Sequence, residues 1–313
     1  MEIRVLKYFL AVAREESISS AANFLHITQP TLSRQIMDLE AELGVKLLHR
    51  SKKNRKVTLT DEGMLLRRRA EEIISLANRT QAELNPSNDA IEGDIYIGSG
   101  ETEAMRFISW SAKQLQNTYP HIRYHLFSGN ADDVAERLDK GLLDFGIFIG
   151  AANLEKYDYL RLPVTDTWGL LMRKDHALAS KPSITINDLE NIPLITSRQS
   201  MVSSELSGWG GRDFDELNIV ATYNLIYGAS LMVNDGVGCA LCLDKLVNTT
   251  SNSSLCFRPL SPTLETQLNI VWKKYQVHSK PAQIFLEQLQ QAFQDYSRQA
   301  AREIGTTAPL EPH

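Results

Sequence analysis

Along the first third of the chain, apolar positions recur every three or four residues, the spacing that lines up side chains on one stripe of an α-helix. Leu6, Phe9, Leu10 and Ala13 form one such face, and Ala21, Ala22 and Leu25 form another after Ser17. Within HITQPTLSRQIMDLE, Leu32, Ile36, Leu39 and Leu43 form a third. Thr28 is placed to cap that helix, and Pro30 falls in its first turn, where a missing N–H costs nothing. The other face shows Gln29, Ser33, Arg34 and Met37, and it needs a partner. Short helices joined by a tight turn, the later one presenting polar side chains, match the helix-turn-helix arrangement.

After Gly44 the pattern changes. GVKLLHRSKKNRK carries Lys46, Arg50, Lys52, Lys53, Arg55 and Lys56 with no acidic residue, SKKN is turn-like, and VTLT alternates as a strand does. A small basic hairpin, a wing, is predicted. Asp61 to Leu84 predicts a long helix in which Leu66, Ala70, Ile73, Ala77, Thr80 and Leu84 make a heptad seam fit for dimerisation. NPSNDAIEGD reads as a linker.

Beyond it, strand and helix alternate through DIYIGSG, a helix to Tyr119, IRYHLFSGN, DDVAERLDKG and LDFGIFIG, the sign of a parallel sheet with crossover helices. Further strands are predicted at YLRLPVTDTWGLLMR, IPLIT, LNIVATY, GCALC, CFRPL and TQLNIVWKK, with helices around residues 224–235 and 280–302. The tail GTTAPLEPH, 305–313, is expected to be disordered.

A length of 313 residues fits two or three domains. The formal charge of −5 argues against a nucleic-acid partner until it is split. Residues 1–87 hold 14 Lys and Arg against 11 Asp and Glu, a balance of +3, and the remainder holds 19 against 27, a balance of −8. The amino-terminal end is the basic end. Three cysteines are too few for a disulfide framework, and with no signal-like opening segment the chain is read as cytoplasmic. Nothing approaches the roughly 18 consecutive apolar residues of a membrane span.

The run FLAVAREESISSAANFLHITQPTLSRQIMDLEAELGVKLLHR, followed by VTLTDEG, closely resembles the winged helix-turn-helix of LysR-type transcriptional regulators. YPHIRYHLFSG, LDKGLLDFGI and NDGVGCAL resemble landmarks of that family's effector-binding domain, so the likeness covers nearly the whole chain. Many relatives carry basic residues where this chain has Met37 and Asp38. The resemblance implies an α/β fold class with an all-α-dominated N-terminal domain. It places a winged helix-turn-helix at 1–59, a linker and dimerisation helix with its hinge at 60–92, and an effector-binding domain at 93–304. That last domain would take the two-subdomain, periplasmic-binding-protein-like form, with subdomain I at 93–163 plus 268–304 and subdomain II at 164–267. It also implies double-stranded DNA, a small-molecule effector and RNA polymerase as partners, and assembly as a homodimer or homotetramer.

The chemistry of the residues fits a DNA reader. In a major groove Gln29 can pair with adenine, Arg34 with guanine, and Ser33 with a base or a phosphate. Backbone N–H groups near Thr28 to Thr31, Pro30 excepted because it has none, lie at the positive end of a helix, which suits a phosphate. The wing cations Arg50, Lys52, Lys53, Arg55 and Lys56 supply affinity while the helix supplies choice.

Ligands of open α/β domains bind beyond the carboxyl ends of strands. Three such ends carry polar clusters: Ser99, Gly100, Glu101 and Thr102; Ser128, Gly129 and Asn130; and Thr196, Ser197, Arg198 and Gln199. The resemblance adds Phe148, Tyr223, Asn224, Val237 and Gly238 as wall positions. Arg198 is placed to pair with an effector carboxylate or phosphate, and Glu101 would favour an amine or hydroxyl beside it.

Other constellations are set aside. Cys239 and Cys242, three apart on an apolar strand, point to opposite faces and read as core. His121 and His125 flank a predicted strand, where four residues span roughly 13 Å, too far for one metal. No GxSxG, phosphate loop or HExxH is present. Neither an enzyme, a cofactor nor a metal is expected. The rival reading is a cytosolic solute-binding or sensory protein whose N-terminal helices make protein contacts.

Overall fold

The computed structural model describes residues 1–50, 56–84, 91–150, 154–198, 206, 209 and 217–303. The chain divides into two compact units, Met1–Pro86 and Ser87–His313.

The first unit packs α1 (Ile3–Glu15), α2 (Ile18–Phe24) and α3 (Gln29–Leu43) around Phe9, Val12, Ala21, Leu32 and Ile36, all fully buried. Two of the three helices have ends that the sequence provides for. Ser17 caps α2 by accepting from Ser20 N–H at 3.3 Å, and Gly44, at φ 69°, closes α3 in the left-handed conformation. A two-stranded antiparallel hairpin follows, β1 (Leu48–Arg50) against β2 (Val57–Leu59), with His49 opposite Thr58. The long helix α4 (Asp61–Leu84) then packs along α1.

The second unit is built on parallel and antiparallel strands in two lobes. Lobe I carries β3 (Gly93–Ser99), α5 (Met105–Thr118), β4 (Ile122–Ser128), α6 (Ala131–Asp139) and β5 (Phe145–Ile149). Its strand order is β4-β3-β5-β11-β6, where β6 is Tyr157–Arg173 and β11 is Glu265–Lys273. Ile95, Ile97, Phe145 and Ile270 on one face pack under α5 and α9 (Lys280–Glu303). Lobe II carries α7 (Ile186–Leu189), β7 (Leu194–Ser197), β8 (Ile219–Tyr223), α8 (Ile226–Asn234), β9 (Cys239–Leu243) and β10 (Leu255–Pro259). Here β7 runs parallel to both β8 and β9.

Strand β6 belongs to both lobes. It pairs with β11 from Tyr157 to Thr167, then with β9 from Trp168 and with β10 from Gly169. The β6–β11 ladder shifts register between Gln267 and Asn269, opposite the stretch Leu162, Pro163 and Val164. Proline cannot donate a ladder hydrogen bond, so it is confined to such irregularities. The chain therefore crosses between lobes twice, outward along β6 and back from β10 into β11.

Candidate nucleic-acid interface and effector cleft

On α3 the buried stripe is Leu32, Ile36 and Leu39. Leu43 leaves it, being 38% exposed as the last residue of the helix before the Gly44 cap. The Thr28 hydroxyl accepts from Thr31 N–H at 3.4 Å and lies 2.8 Å from the Thr31 hydroxyl, so the helix opens on a capped turn. Gln29, Pro30, Thr31, Arg34 and Met37 are exposed, and Ser33 is half-buried. Arg34 Nε stands 4.0 Å from Asp38 one turn on, a solvated pair that leaves the guanidinium free to exchange partners.

The wing exists as a hairpin. Its tip, with Lys52, Lys53 and Arg55, and the side chain of Arg50 lie outside the described residues. Lys56 is held differently from expectation: its ammonium stands 2.7 Å from the Glu16 carboxylate at the end of α1, so one predicted phosphate contact is engaged by an acid of its own unit.

Sequence reasoning missed the group that fixes this wing. Glu40, 4% exposed, accepts from Leu47 N–H at 2.9 Å and Leu48 N–H at 3.3 Å, and its other oxygen takes the Lys46 ammonium at 3.2 Å. Burial pushes its carboxyl upward, but the Leu47 and Leu48 N–H groups and Lys46 outweigh that and hold it below the ordinary value. Thr60 donates to Lys46 O at 2.6 Å and accepts from Gly63 N–H at 3.0 Å, seating α4 against the same segment. A Cβ at Gly63 would fall 2.2 Å from the Leu47 carbonyl oxygen, so the approach requires glycine.

The predicted heptad seam splits. Ala70 is fully buried within its own unit and Leu66 is half-buried against the N-terminal core, so these two positions are taken up by packing on the rest of that unit. Further along, Ile73, Ala77, Thr80 and Leu84, with Leu76 and Gln81, line an open groove of about 610 Å³.

In the second unit, several predicted clusters converge. Gly129 N–H donates to Ser99 O at 3.1 Å, bringing the ends of β3 and β4 together. On the neighbouring residues, Ser99 donates to Gly100 O at 2.6 Å, Ser128 is exposed, and Asn130 caps α6 by accepting from Asp133 N–H at 2.9 Å. Asn130 is thereby engaged as a helix cap. The Thr102 hydroxyl donates to the buried Asp166 on β6, and Glu101 accepts a hydrogen bond from Ile226 N–H at the start of α8. From lobe II, Ser197 pairs in register with Tyr223, Thr196 is fully buried, and Arg198 and Asn224 are exposed. Gln199 lies outside the described residues.

Four wall positions differ from expectation. Phe148, 3% exposed, packs edge-on against Tyr157 in the core beneath α6. The Tyr223 hydroxyl donates to Leu241 O at 2.8 Å, and burial, with the Glu101 charge contributing, pushes its phenol well above the ordinary value. Val237 and Gly238 lie at the other end of the parallel strands, because Leu194 at the start of β7 is level with Cys239, whose N–H bonds Pro193 O at 2.8 Å. There Gly238 lines a recess of about 410 Å³ with Arg173, His176, Pro193 and Val233. Cys239 and Cys242 belong to separate core clusters, and burial raises the Cys239 thiol to about 11.

Residues 3–64 match the family model described as the bacterial regulatory helix-turn-helix protein, lysR family, and residues 88–294 match the LysR substrate binding domain. The chain belongs to the LysR family. It is 26% identical over 294 residues to the uncharacterized HTH-type transcriptional regulator YvbU of Bacillus subtilis, covering 94% of this chain and 99% of that one. To the HTH-type transcriptional regulator CysL of the same organism it is 27% identical over 301 residues, covering 93% and 97%. Its fold is similar to that of full-length CbnR complexed with target DNA, at TM-score 0.69 and 20% identity, covering 93% of this chain and 100% of that chain. As a LysR-family member this chain is a DNA-binding transcriptional regulator with an effector-binding domain. Among the described residues, no helix is long and apolar enough to cross a membrane.

Proposed function

We propose that this LysR-family regulator reads DNA with Gln29, Ser33 and Arg34 of α3 and grips the phosphates with the wing. The carrying observation is the division of α3 into a fully buried apolar stripe and an exposed polar face opening on a capped turn. Such a helix presents donors and acceptors to base edges without exposing its own backbone ends.

In this reading the seat of the small-molecule effector is formed by Gly100, Glu101, Ser128, Ser197, Arg198 and Asn224, polar positions drawn from both lobes. Arg198 pairs with an acidic group of the effector. The crossings near residues 163/164 and 267/268 are the hinge. The groove on α4 is the contact with a second copy, so that two recognition helices engage half-sites one helical turn, or a multiple, apart. The chain works without catalysis, in the cytoplasm, as a dimer or pair of dimers that acts on RNA polymerase.

Gel shift of the purified chain against fragments of its own genome tests the reading. Binding to a few fragments at modest salt, with competition by those fragments and not by random duplex, is expected. Equal affinity for every fragment, or none, would remove it.

A further inference from the structure

Glu101 is used in a way that neither DNA reading nor effector recognition requires. It sits on the loop between β3 and α5 in lobe I, yet its carboxylate accepts the N–H of Ile226, the first residue of α8 in lobe II. Leu225, at the cap position of α8, makes no side-chain cap bond, so the carboxylate from the other lobe does the capping. The loop that carries it is anchored one residue later, where the Thr102 hydroxyl binds Asp166 on β6 and also accepts from Ala104 N–H at 3.1 Å.

The arrangement is that of an arm fixed at its base and reaching from one lobe to the other. Its base is on the strand shared by both lobes, and its tip is on a helix that belongs to lobe II. Among the described residues the lobes are also joined along β6, at the return from β10 to β11, and where Ile149 of β5 packs against the lobe II core.

On the reading of residues 87–313 as the effector-binding unit, we infer that Glu101 is a latch across the cleft, fastening lobe I to the start of α8 and releasing it when the cleft opens. The latch is built to let go. Tyr223 gives the carboxylate no hydrogen bond, since its hydroxyl is committed to Leu241 O. Burial pushes the Glu101 carboxyl up and the Ile226 N–H only partly offsets this, so the ionised group is held at a net penalty. A permanent fastening would have further donors.

Amide hydrogen exchange on the full chain tests this, comparing wild type, Glu101→Ala and Glu101→Gln at the first turn of α8, with β9 as the internal reference. Exchange at Ile226 is expected to accelerate about tenfold or more in Glu101→Ala, the loss of one charge-assisted hydrogen bond, while Cys239–Leu243 stay protected. Glu101→Gln, whose amide oxygen can still accept, falls between the two. Acetate added to Glu101→Ala restores part of the protection at Ile226, which repacking of a merely structural residue would not allow.

Unchanged exchange at Ile226 in Glu101→Ala would overturn the latch. So would loss of protection in β9 alongside α8 in both variants. If Glu101→Ala alone fails to fold, the Glu101→Gln result decides on the same criterion. Wild-type DNA binding is scored separately by gel shift, so failure of the latch and failure of the regulator reading give different outcomes.

Discussion

Glu40 and Glu101 are two glutamates drawn out of solvent in the two units of one chain, and they are treated in opposite ways. Glu40 receives two backbone N–H groups and a lysine, and its carboxyl is held below the ordinary value. Glu101 receives one N–H, from a helix in the other lobe, and its carboxyl is raised. A saturated carboxylate fixes geometry, and a half-satisfied one stores a tendency to leave. The first suits the junction between a recognition helix and its wing, which must hold one shape. The second suits the latch proposed between the two lobes.

The largest expected effect is therefore at Glu40. Glu40→Ala strands the Leu47 and Leu48 N–H groups and should destabilise the first unit by about 3 kcal/mol. The four tryptophans, Trp110, Trp168, Trp209 and Trp272, all lie in the second unit, so their fluorescence should keep its midpoint while the helical circular dichroism of the first unit melts early. A shared shift of both signals would mean that the fastening is not local.

Gly63→Ala should follow, at about 2 kcal/mol, because a methyl group against the Leu47 carbonyl forces backbone apart at the same junction. Urea midpoints read by circular dichroism would show it.

Acidification should separate the two carboxylates by sign. The stabilisation from Glu40 is fully present above the ordinary carboxylate value of 4.5 and is lost as pH falls below that through the lowered folded value. Glu101 runs the other way: its ionised form opposes folding above its raised value, and that opposition fades as pH falls through it. Glu40→Gln should thus lose most stability, relative to wild type, near neutrality, and Glu101→Gln should be no less stable than wild type there. Denaturation midpoints from neutral to mildly acidic pH decide this, and parallel curves for both variants would erase the contrast.

Effects on binding rather than on stability are expected at the proposed DNA-reading surface. Gln29→Ala or Arg34→Ala should each cost about 1–3 kcal/mol of discrimination at one base position. Lys53→Ala should weaken all duplexes alike and reduce the salt slope by about one. Titrations of specific and random duplex at several salt concentrations separate these outcomes.

The first unit was legible because a helix repeats. Leu32, Ile36 and Leu39 announce the buried stripe, and Thr28 with Pro30 announces the start. Glu40 was not, since an acid at a core position looks like a surface residue until the N–H groups folding back from Leu47 and Leu48 are in place. Ala70 likewise shares its spacing with dimer seams, and only packing of α4 along α1 shows that it is buried at home.

In the second unit the strand ends were readable and their grouping was not. Strand direction decides which ends are neighbours, and it sends Val237 and Gly238 to the far end of β9 while it brings Ser197 level with Tyr223. Glu101 could be placed beyond a strand by its sequence, but that its partner would be the backbone of Ile226, 125 residues away, is a property of the folded topology.

Pro163 gives the shared ribbon a built-in crease. A long strand paired to a neighbour resists folding over, because bending it breaks successive rungs. Where the ladder skips across Leu162, Pro163 and Val164, the rungs are already missing. Bending β6 at this point costs few ladder bonds, so on the latch proposal the resistance to opening falls to contacts between the lobes, Glu101 among them.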